Sequence, residues 1–131
     1  RGLGDVYKRQ LQGAREAFPK YKLVVAFQPH LYSRTQDQLE TFASAFLNCD
    51  SLVLLPIYGA REVPIKGITS NLLAEESIKR GHRQVGVVTG FNDALVLVRE
   101  WSDENTIVLV MGAGSVWKLL TPLVSGGSLN D

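Results

Sequence analysis

The fold of this chain is decided by an apolar run and the polar turn after it, Leu23-Val24-Val25-Ala26-Phe27-Gln28-Pro29-His30-Leu31-Tyr32-Ser33-Arg34-Thr35. The apolar residues at 23–27 predict a buried parallel strand. Apolar residues at helical spacing follow at positions 39, 42, 43 and 46, and they predict an amphipathic helix over about 35–48. The turn that carries a proline, a histidine and an arginine therefore lies between a strand and a helix, where an open α/β sheet binds its ligands.

The same alternation of strand and helix continues along the chain. Further strands are predicted over 51–57, 84–88 and 106–110. Helices are predicted over 11–18, over 70–80 with Ser70 as N-cap, after a cap at Asn92 or Asp93, and over about 116–120. Alternating elements of this kind predict the α/β class, with a mostly parallel sheet covered by helices on both faces.

Composition limits the partners that this chain can have. It has 131 residues, 45% of them hydrophobic, which is enough apolar material for one domain with its own core. Its formal net charge of +1 provides no field to recruit nucleic acid or a membrane surface, so neither is expected as a partner. One cysteine, no apolar run of membrane-spanning length and no readable signal peptide favour a cytoplasmic location.

Both ends of the chain look unlike the rest. Residues 1–10 resemble a translated sequencing-adaptor scar, and we expect them to be non-native and disordered; the alternative is a genuine flexible N-terminus. Residues 122–131 are expected to form a flexible tail, since Ser125-Gly126-Gly127-Ser128 has the composition of a linker. The predicted domain is therefore 11–121.

The candidate site lies where the predicted strands end. Parallel strands all end at one edge of a sheet, so His30 and Arg34, Tyr58 and Arg61, and the Gly112–Gly114 turn are predicted to surround one ligand. A basic pair near backbone N–H groups at a helix start favours an anion such as a carboxylate or phosphate. The alternatives are a packed turn histidine and a solvated arginine. Glu62, beside Arg61, is expected to tie its loop to itself.

Other motifs carry less information. Gly112-Ala113-Gly114 suggests a dinucleotide-binding turn, but Trp117 stands where that motif has its third glycine. Only a short polar tail follows, where the motif has a second strand that ends in an acidic residue. A tight turn for close packing or a phosphate-facing turn fits the spacing equally well. No metal-ligand spacing, phosphate-loop motif or nucleophile elbow is present. Cys49 is interpreted as a packing residue, and His82, past a helix end, as solvated.

Three segments resemble the UDP-N-acetylmuramate–L-alanine ligases, a family of Mur ligases that act in peptidoglycan synthesis. They are Phe27–Thr35, which is similar to the family's Phe-Gln-Pro-His-x-Tyr/Phe-Ser/Thr-Arg-Thr segment, Ile57–Gly67, which is similar to its Tyr-x-Ala-Arg-Glu-x-Pro-Ile-x-Gly loop, and Met111–Val116, which matches its Gly-Ala-Gly turn. The resemblance covers about Leu11 to Leu120. It implies the last, Rossmann-like domain of a three-domain enzyme, without its first strand.

The resemblance also implies a function. The family uses ATP and Mg²⁺ to convert the carboxylate of UDP-N-acetylmuramate to an acyl phosphate, which the amine of L-alanine then attacks. His30 and Arg34 would bind L-alanine, while Tyr32, Tyr58 and Arg61 would line the site. Gly112, Ala113 and Gly114 would face the central ATPase domain, which is missing here, as is the N-terminal UDP-binding domain. Leu31 stands where some members carry arginine, so Arg34 is expected to bind the carboxylate alone.

Two alternatives remain at this point. One is the related ligase that recycles whole peptides onto UDP-N-acetylmuramate. The other is a stand-alone nucleotide- or metabolite-binding module. The resemblance implies that the fragment alone binds neither ATP nor a metal and is inactive.

Overall fold

A four-stranded parallel sheet forms the centre of the molecule. The computed structural model describes residues 2–126. Its strands are β1 (Lys22–Gln28), β2 (Ser51–Leu54), β3 (Val85–Val87) and β4 (Thr106–Gly112). Their spatial order is β3-β2-β1-β4, and every adjacent pair is parallel. The predicted α/β class is confirmed, and each of the predicted strands is present.

Helices cover both faces of this sheet. They are α1 (Leu3–Ala17), α2 (Tyr32–Asp37), α3 (Leu39–Ala45), α4 (Ser70–Lys79), α5 (Phe91–Glu100) and α6 (Leu120–Ser125), with 3₁₀ turns at Phe46–Asn48 and Gly114–Leu119. Helices α1, α3 and α4 contribute to the core on one face, and α5 and α6 pack on the other. None of the helices in the described residues is long and apolar enough to cross a membrane.

Strand β1 lies between β2 and β4 and supplies side chains to both cores. Leu23, Val25 and Phe27 point into one core, whereas Val24 and Ala26 point into the other, as the two-residue period of a strand requires. All five are almost completely buried. This explains why the sequence of β1 is a continuous apolar run.

Strand β4 has the same apolar character but lies at an edge. It pairs with β1 along its length, and its residues at 106–110 are partly exposed. The expectation of a further strand in the complete protein is compatible with such an edge and stays a prediction.

The N-terminal segment differs from the expectation. Residues 3–10 are helical and continuous with the predicted helix at 11–18, so the prediction that they are disordered is wrong. The reason is packing: the ring of Tyr7 lies 5.2 Å from that of Phe27, 5.7 Å from Phe42 and 5.9 Å from Phe46, measured between centroids. Gly4 is buried against Thr41, where a Cβ would overlap the threonine side chain. The origin of residues 1–10 as an adaptor scar stays a hypothesis.

The C-terminal segment also differs. Residues 122–125 belong to α6, with Pro122 buried and its carbonyl accepting a hydrogen bond of 2.8 Å from Arg99 Nη2. The predicted flexible tail at 122–131 is therefore wrong for 122–125, and 127–131 lie outside the described residues.

Three helix boundaries are corrected. The hydroxyl of Thr69, not Ser70, caps α4 by accepting a hydrogen bond from the N–H of Leu72 at 3.2 Å. Helix α5 begins after Gly90, so the predicted caps Asn92 and Asp93 lie inside its first turn. The single helix predicted over 35–48 is broken at Gln38 into α2, α3 and a 3₁₀ turn.

Candidate functional site

The carboxyl ends of β1 and β2 continue past the strands and bring two rings together. The N–H of Leu31 donates to the carbonyl of Tyr58 at 2.8 Å, and the N–H of Tyr58 donates to the carbonyl of Pro29 at 2.9 Å. These bonds form an isolated parallel bridge between His30 and Tyr58. Their rings stack at 5.7 Å between centroids and 20° between planes. Two predicted site residues far apart in sequence are thus neighbours.

Tyr32 lies beside this pair. Its ring packs on the backbone of Gly59, where a Cβ would lie 2.5 Å from the ring carbon Cε2. Only glycine fits under the ring without a shift. Tyr32 also lines a cavity of about 370 Å³ between the ends of β2 and β3 and the start of α4.

Glu62 caps the start of α2. Its Oε1 accepts hydrogen bonds from the N–H of Tyr32 at 2.6 Å and of Ser33 at 3.1 Å, and its Oε2 accepts a short one from the Ser33 hydroxyl. Hydrogen bonding by the Ser33 hydroxyl, then by these N–H groups, holds the pKa of Glu62 below its usual value, with a smaller contribution from the charge of His30. The expectation that Glu62 ties its loop to itself is wrong, because its carboxylate binds α2 instead.

This contact corrects the sequence interpretation of the helix start. The backbone N–H groups expected to receive an anion are already occupied by a carboxylate of the same chain. Helix α2 has only six residues, so its dipole adds little to these hydrogen bonds.

The two arginines of the predicted site are placed differently from His30. Within residues 2–126, neither the Arg34 nor the Arg61 guanidinium forms a hydrogen bond or an ion pair with a protein group. Arg34 is partly exposed, and its charge opposes the rise in the pKa of Tyr7 that burial causes. Arg61 is exposed. The structure thus groups His30, Tyr32 and Tyr58 closely. The two arginines, which are near these residues in sequence, have guanidinium donors that no described protein group uses.

The Gly112–Gly114 turn lies against the end of β1. Gly112 has φ of 107°, and a Cβ there would overlap the carbonyl of Gln28, so both backbone angle and space require glycine. The N–H of Ala113 donates to the same carbonyl at 2.8 Å. A 3₁₀ turn follows rather than a long α-helix, which makes a dinucleotide-type pyrophosphate site less favourable here.

Gln28 is a site residue that sequence reasoning missed. Its side chain is buried; Oε1 accepts from the Ser115 hydroxyl at 2.7 Å, and Nε2 donates to the carbonyl of Pro56 at 3.2 Å. One amide therefore joins the ends of β1, β2 and β4. A polar residue directly after a buried apolar run was the available indication.

A second polar cluster lies at the opposite edge of the sheet, where the strands have their amino ends. His82 is only 7% exposed, so the prediction that it is solvated is wrong. Its Nδ1 accepts from the N–H of Gln84 at 3.2 Å, and its Nε2 lies 3.6 Å from Cys49 Sγ. Burial raises the pKa of the Cys49 thiol to about 12, so the Cys49–His82 pair does not have the character of an activated nucleophile with its base. The interpretation of Cys49 as a packing residue is confirmed.

In the part of the chain that the structure describes, no three histidine, cysteine, aspartate or glutamate side chains are grouped to hold an ion.

Together the fold and this edge define a parallel α/β domain with its candidate site beyond the carboxyl ends of its strands. Comparison with known proteins narrows the class. No protein-family model matches the sequence. The chain is 44% identical over 108 residues to UDP-N-acetylmuramate–L-alanine ligase of Salinibacter ruber, covering 82% of this chain and 23% of that protein. It is 41% identical over 119 residues to the ligase of the same name from Desulfosudis oleivorans, covering 91% and 26%.

Solved structures agree on the fold. UDP-N-acetylmuramate–alanine ligase MurC from Thermotoga maritima matches 96% of this chain with a TM-score of 0.70 at 23% identity, over 26% of that protein. A domain from a candidate UDP-N-acetylmuramate:L-alanyl-gamma-D-glutamyl-diaminopimelate ligase of Haemophilus ducreyi matches with a TM-score of 0.68 at 10% identity, over 85% of that domain.

The chain therefore matches the UDP-N-acetylmuramate–L-alanine ligase family along most of its own length, and the resemblance noted in the sequence is confirmed. It spans about a quarter of the length of the curated relatives that it matches.

Proposed function

We propose that this chain is the amino-acid-binding segment of an ATP-dependent UDP-N-acetylmuramate–L-alanine ligase in the cytoplasm. The relatives that carry that name support the ligase assignment. In the full-length protein, a central ATPase domain would hold ATP and Mg²⁺, and an N-terminal domain would hold UDP-N-acetylmuramate. This segment would bind L-alanine and close on the ATPase domain, with Gly112, Ala113 and Gly114 at that contact.

The observation that carries the amino-acid assignment is the Arg34 guanidinium. It lies on α2, four residues after His30, and within residues 2–126 it has no acidic partner. A partly exposed arginine without a counter-ion suits a ligand carboxylate, because charge-assisted hydrogen bonds from a guanidinium to a carboxylate are strong and geometrically specific. The carboxylate of L-alanine would bind there. His30 would orient the amino acid, with Tyr32, Tyr58 and Arg61 lining the site.

The reaction explains why such binding is useful. ATP would phosphorylate the muramoyl carboxylate and leave as ADP; the free amine of L-alanine would then attack the acyl phosphate, form the amide and release inorganic phosphate. The amine must lose a proton in this step, and His30 would accept it. The main contribution of the segment would be position, since holding the amine in line with the acyl carbon removes much of the entropic barrier.

Substitution of Arg34 tests this proposal in the full-length ligase. Arg34→Ala removes the charge-assisted contact, worth about 1.5–3 kcal/mol, so the KM for L-alanine should rise roughly 10- to 150-fold. The KM for ATP should stay within about twofold. Steady-state phosphate release at varied L-alanine and varied ATP measures both.

Arg83→Ala is the matched control, because Arg83 is an exposed arginine at the opposite edge of the sheet. It should change neither constant. Equal effects of Arg34→Ala on both substrates, or no effect on either, would contradict the assignment.

The structural match to the Haemophilus ducreyi domain favours a second candidate, a ligase that attaches an intact peptide to UDP-N-acetylmuramate. Phosphate release with L-alanine against release with the tripeptide L-alanyl-γ-D-glutamyl-diaminopimelate separates the two. We expect turnover with L-alanine. A stand-alone nucleotide-binding module is the third possibility, and equilibrium dialysis of the 131 residues with ATP should show no tight binding.

A further inference from the structure

Glu62 lies beside the proposed alanine site, and its carboxylate has three donors from α2. Two are backbone N–H groups, of Tyr32 and Ser33, and the third is the Ser33 hydroxyl. The residues joined are 29 and 30 positions apart in sequence. The cap of this helix is therefore supplied by the loop after β2 and not by its own N-terminal residue.

The local residue cannot supply a cap. Leu31 stands at the N-cap position with no side-chain acceptor, and its φ of 71° is unusual for a residue other than glycine. Its N–H is bound by the carbonyl of Tyr58, and its carbonyl accepts from the hydroxyl of buried Thr35 at 2.8 Å. Leu31 is thus fixed from both sides, and Glu62 fixes the next two residues.

These contacts fix the backbone around His30 and Arg34 to the loop after β2. His30 precedes Leu31 in the bridge to Tyr58, and Arg34 follows Ser33 in α2. If the Glu62 carboxylate were absent, the N–H groups of Tyr32 and Ser33 would lose their acceptors. The bridge at Tyr58 and the packing of Tyr32 on Gly59 would remain between this segment and the loop after β2.

The charge of Glu62 has a second consequence. A carboxylate already bound at the start of α2 repels a second carboxylate from the same N–H groups. The carboxylate of a bound amino acid then needs side-chain donors instead, and Arg34 is the cation that α2 carries.

We propose that Glu62 is a positioning residue for the amino-acid substrate: it occupies the N–H groups of α2 and thereby directs the substrate carboxylate to Arg34. This inference rests on the proposed function. It goes beyond that function by assigning the choice of carboxylate-binding group to a residue that does not contact the substrate.

The test uses the full-length ligase with Glu62→Gln, Glu62→Ala and the control Glu75→Gln. Glu75 is an exposed glutamate of α4. Glu62→Ala should raise the KM for L-alanine about 10-fold or more, Glu62→Gln less because an amide oxygen still accepts one N–H, and Glu75→Gln not at all. The KM for ATP should stay within about twofold throughout. A residue that served only folding would lower the amount of active enzyme and leave the KM for L-alanine unchanged, which would overturn the proposal.

Hydrogen exchange on the same proteins measures the cap itself. The peptide that contains Tyr32 and Ser33 should exchange faster in both Glu62 variants than in the wild type, with no change in Glu75→Gln. Unchanged exchange would overturn the proposal irrespective of the kinetics, and it remains measurable if Glu62→Ala folds poorly, because Glu62→Gln is the milder variant.

The outcomes also separate this inference from the proposed function. A wild-type ligase that turns over L-alanine, with Glu62 variants of unchanged KM, overturns the role of Glu62 alone. A wild-type enzyme with no alanine-dependent turnover removes the proposed function and, with it, the role of Glu62 toward this substrate.

Discussion

Polar side chains have different roles at the two ends of the parallel strands, called here the amino edge and the carboxyl edge. At the amino edge, Asp50 accepts from the N–H of Leu23 at 2.8 Å and from Arg15 at 3.0 Å, and His82 is buried beside Cys49. At the carboxyl edge, Arg34 and Arg61 have no protein partner within residues 2–126. Asp50 and His82 at the amino edge hold the fold together, whereas Arg34 and Arg61 at the carboxyl edge are available to a ligand.

The two edges do not differ in having a rigid and a flexible backbone. The carboxyl edge is fixed as firmly through its backbone, by the bridge of His30 to Tyr58, by the Glu62 cap and by the close approach of Gly112 to Gln28. Side chains with unused donors on a fixed backbone are what a binding site needs, because little order has to be gained on binding.

The largest expected effect on stability is that of Gly112→Ala, at the carboxyl edge. The positive φ is strained for alanine and its Cβ would overlap the Gln28 carbonyl, so the free energy of unfolding should fall by about 3 kcal/mol. Urea denaturation of the 131-residue chain measures it. Gly114→Ala is the control, because a Cβ there meets nothing within 4 Å, and it should change stability by less than about 0.5 kcal/mol. Similar effects of both would contradict the account of the turn.

Asp50→Ala is the intermediate case, at the amino edge. It removes the acceptor for Leu23 and the partner of Arg15, and should lower the free energy of unfolding by about 1–2 kcal/mol, discounted because the carboxylate is 43% exposed. Asp50→Asn keeps an acceptor for Leu23 and should lose less. If Asp50→Ala were as stable as the wild type, the amino edge would not have the stabilising role given to it here.

The smallest effect is a pH dependence from His82. Burial lowers the pKa of this imidazole in the folded state, so the unfolded chain binds the proton more readily. Its contribution to stability is therefore complete above about pH 6.5 and is lost as pH falls below that value, by at most about 1.4 kcal/mol per pH unit. Denaturation of wild type and His82→Asn between pH 7.5 and 5 should show a steeper loss for the wild type; parallel curves would contradict it.

The strands and the position of the candidate site could be predicted from the sequence for a simple reason. Leu23–Phe27 is buried on both faces, so every residue of the run is apolar. Because parallel strands all end at the same edge of a sheet, the loops that follow them can be placed together. Local pattern and global fold agree at these positions. The juxtaposition of His30 with Tyr58 follows from that rule, and the structure adds the bridge and the stacked rings.

The features that could not be predicted from the sequence are contacts between distant parts of the chain. No local feature tells that Glu62 caps a helix that begins 30 residues earlier. At the start of α4, Thr69 and Ser70 fit the cap equally well by sequence; the fold assigns the Ser70 hydroxyl to the carbonyl of Leu55 and leaves the cap to Thr69. His82 lies among charged neighbours, which indicate solvent, yet the chain there passes beside Cys49.

The aromatic cluster around Tyr7 has a practical consequence for anyone preparing this protein. A chain that begins at residue 11, with residues 1–10 removed as an adaptor scar, would lack the Tyr7 ring that contacts three phenylalanines. It would also lack the first half of α1. A shortened version would expose Phe27, Phe42 and Phe46 to water along the side that α1 covers. Expression designs should retain residues 3–10 or replace Tyr7 with another large apolar side chain on a helix.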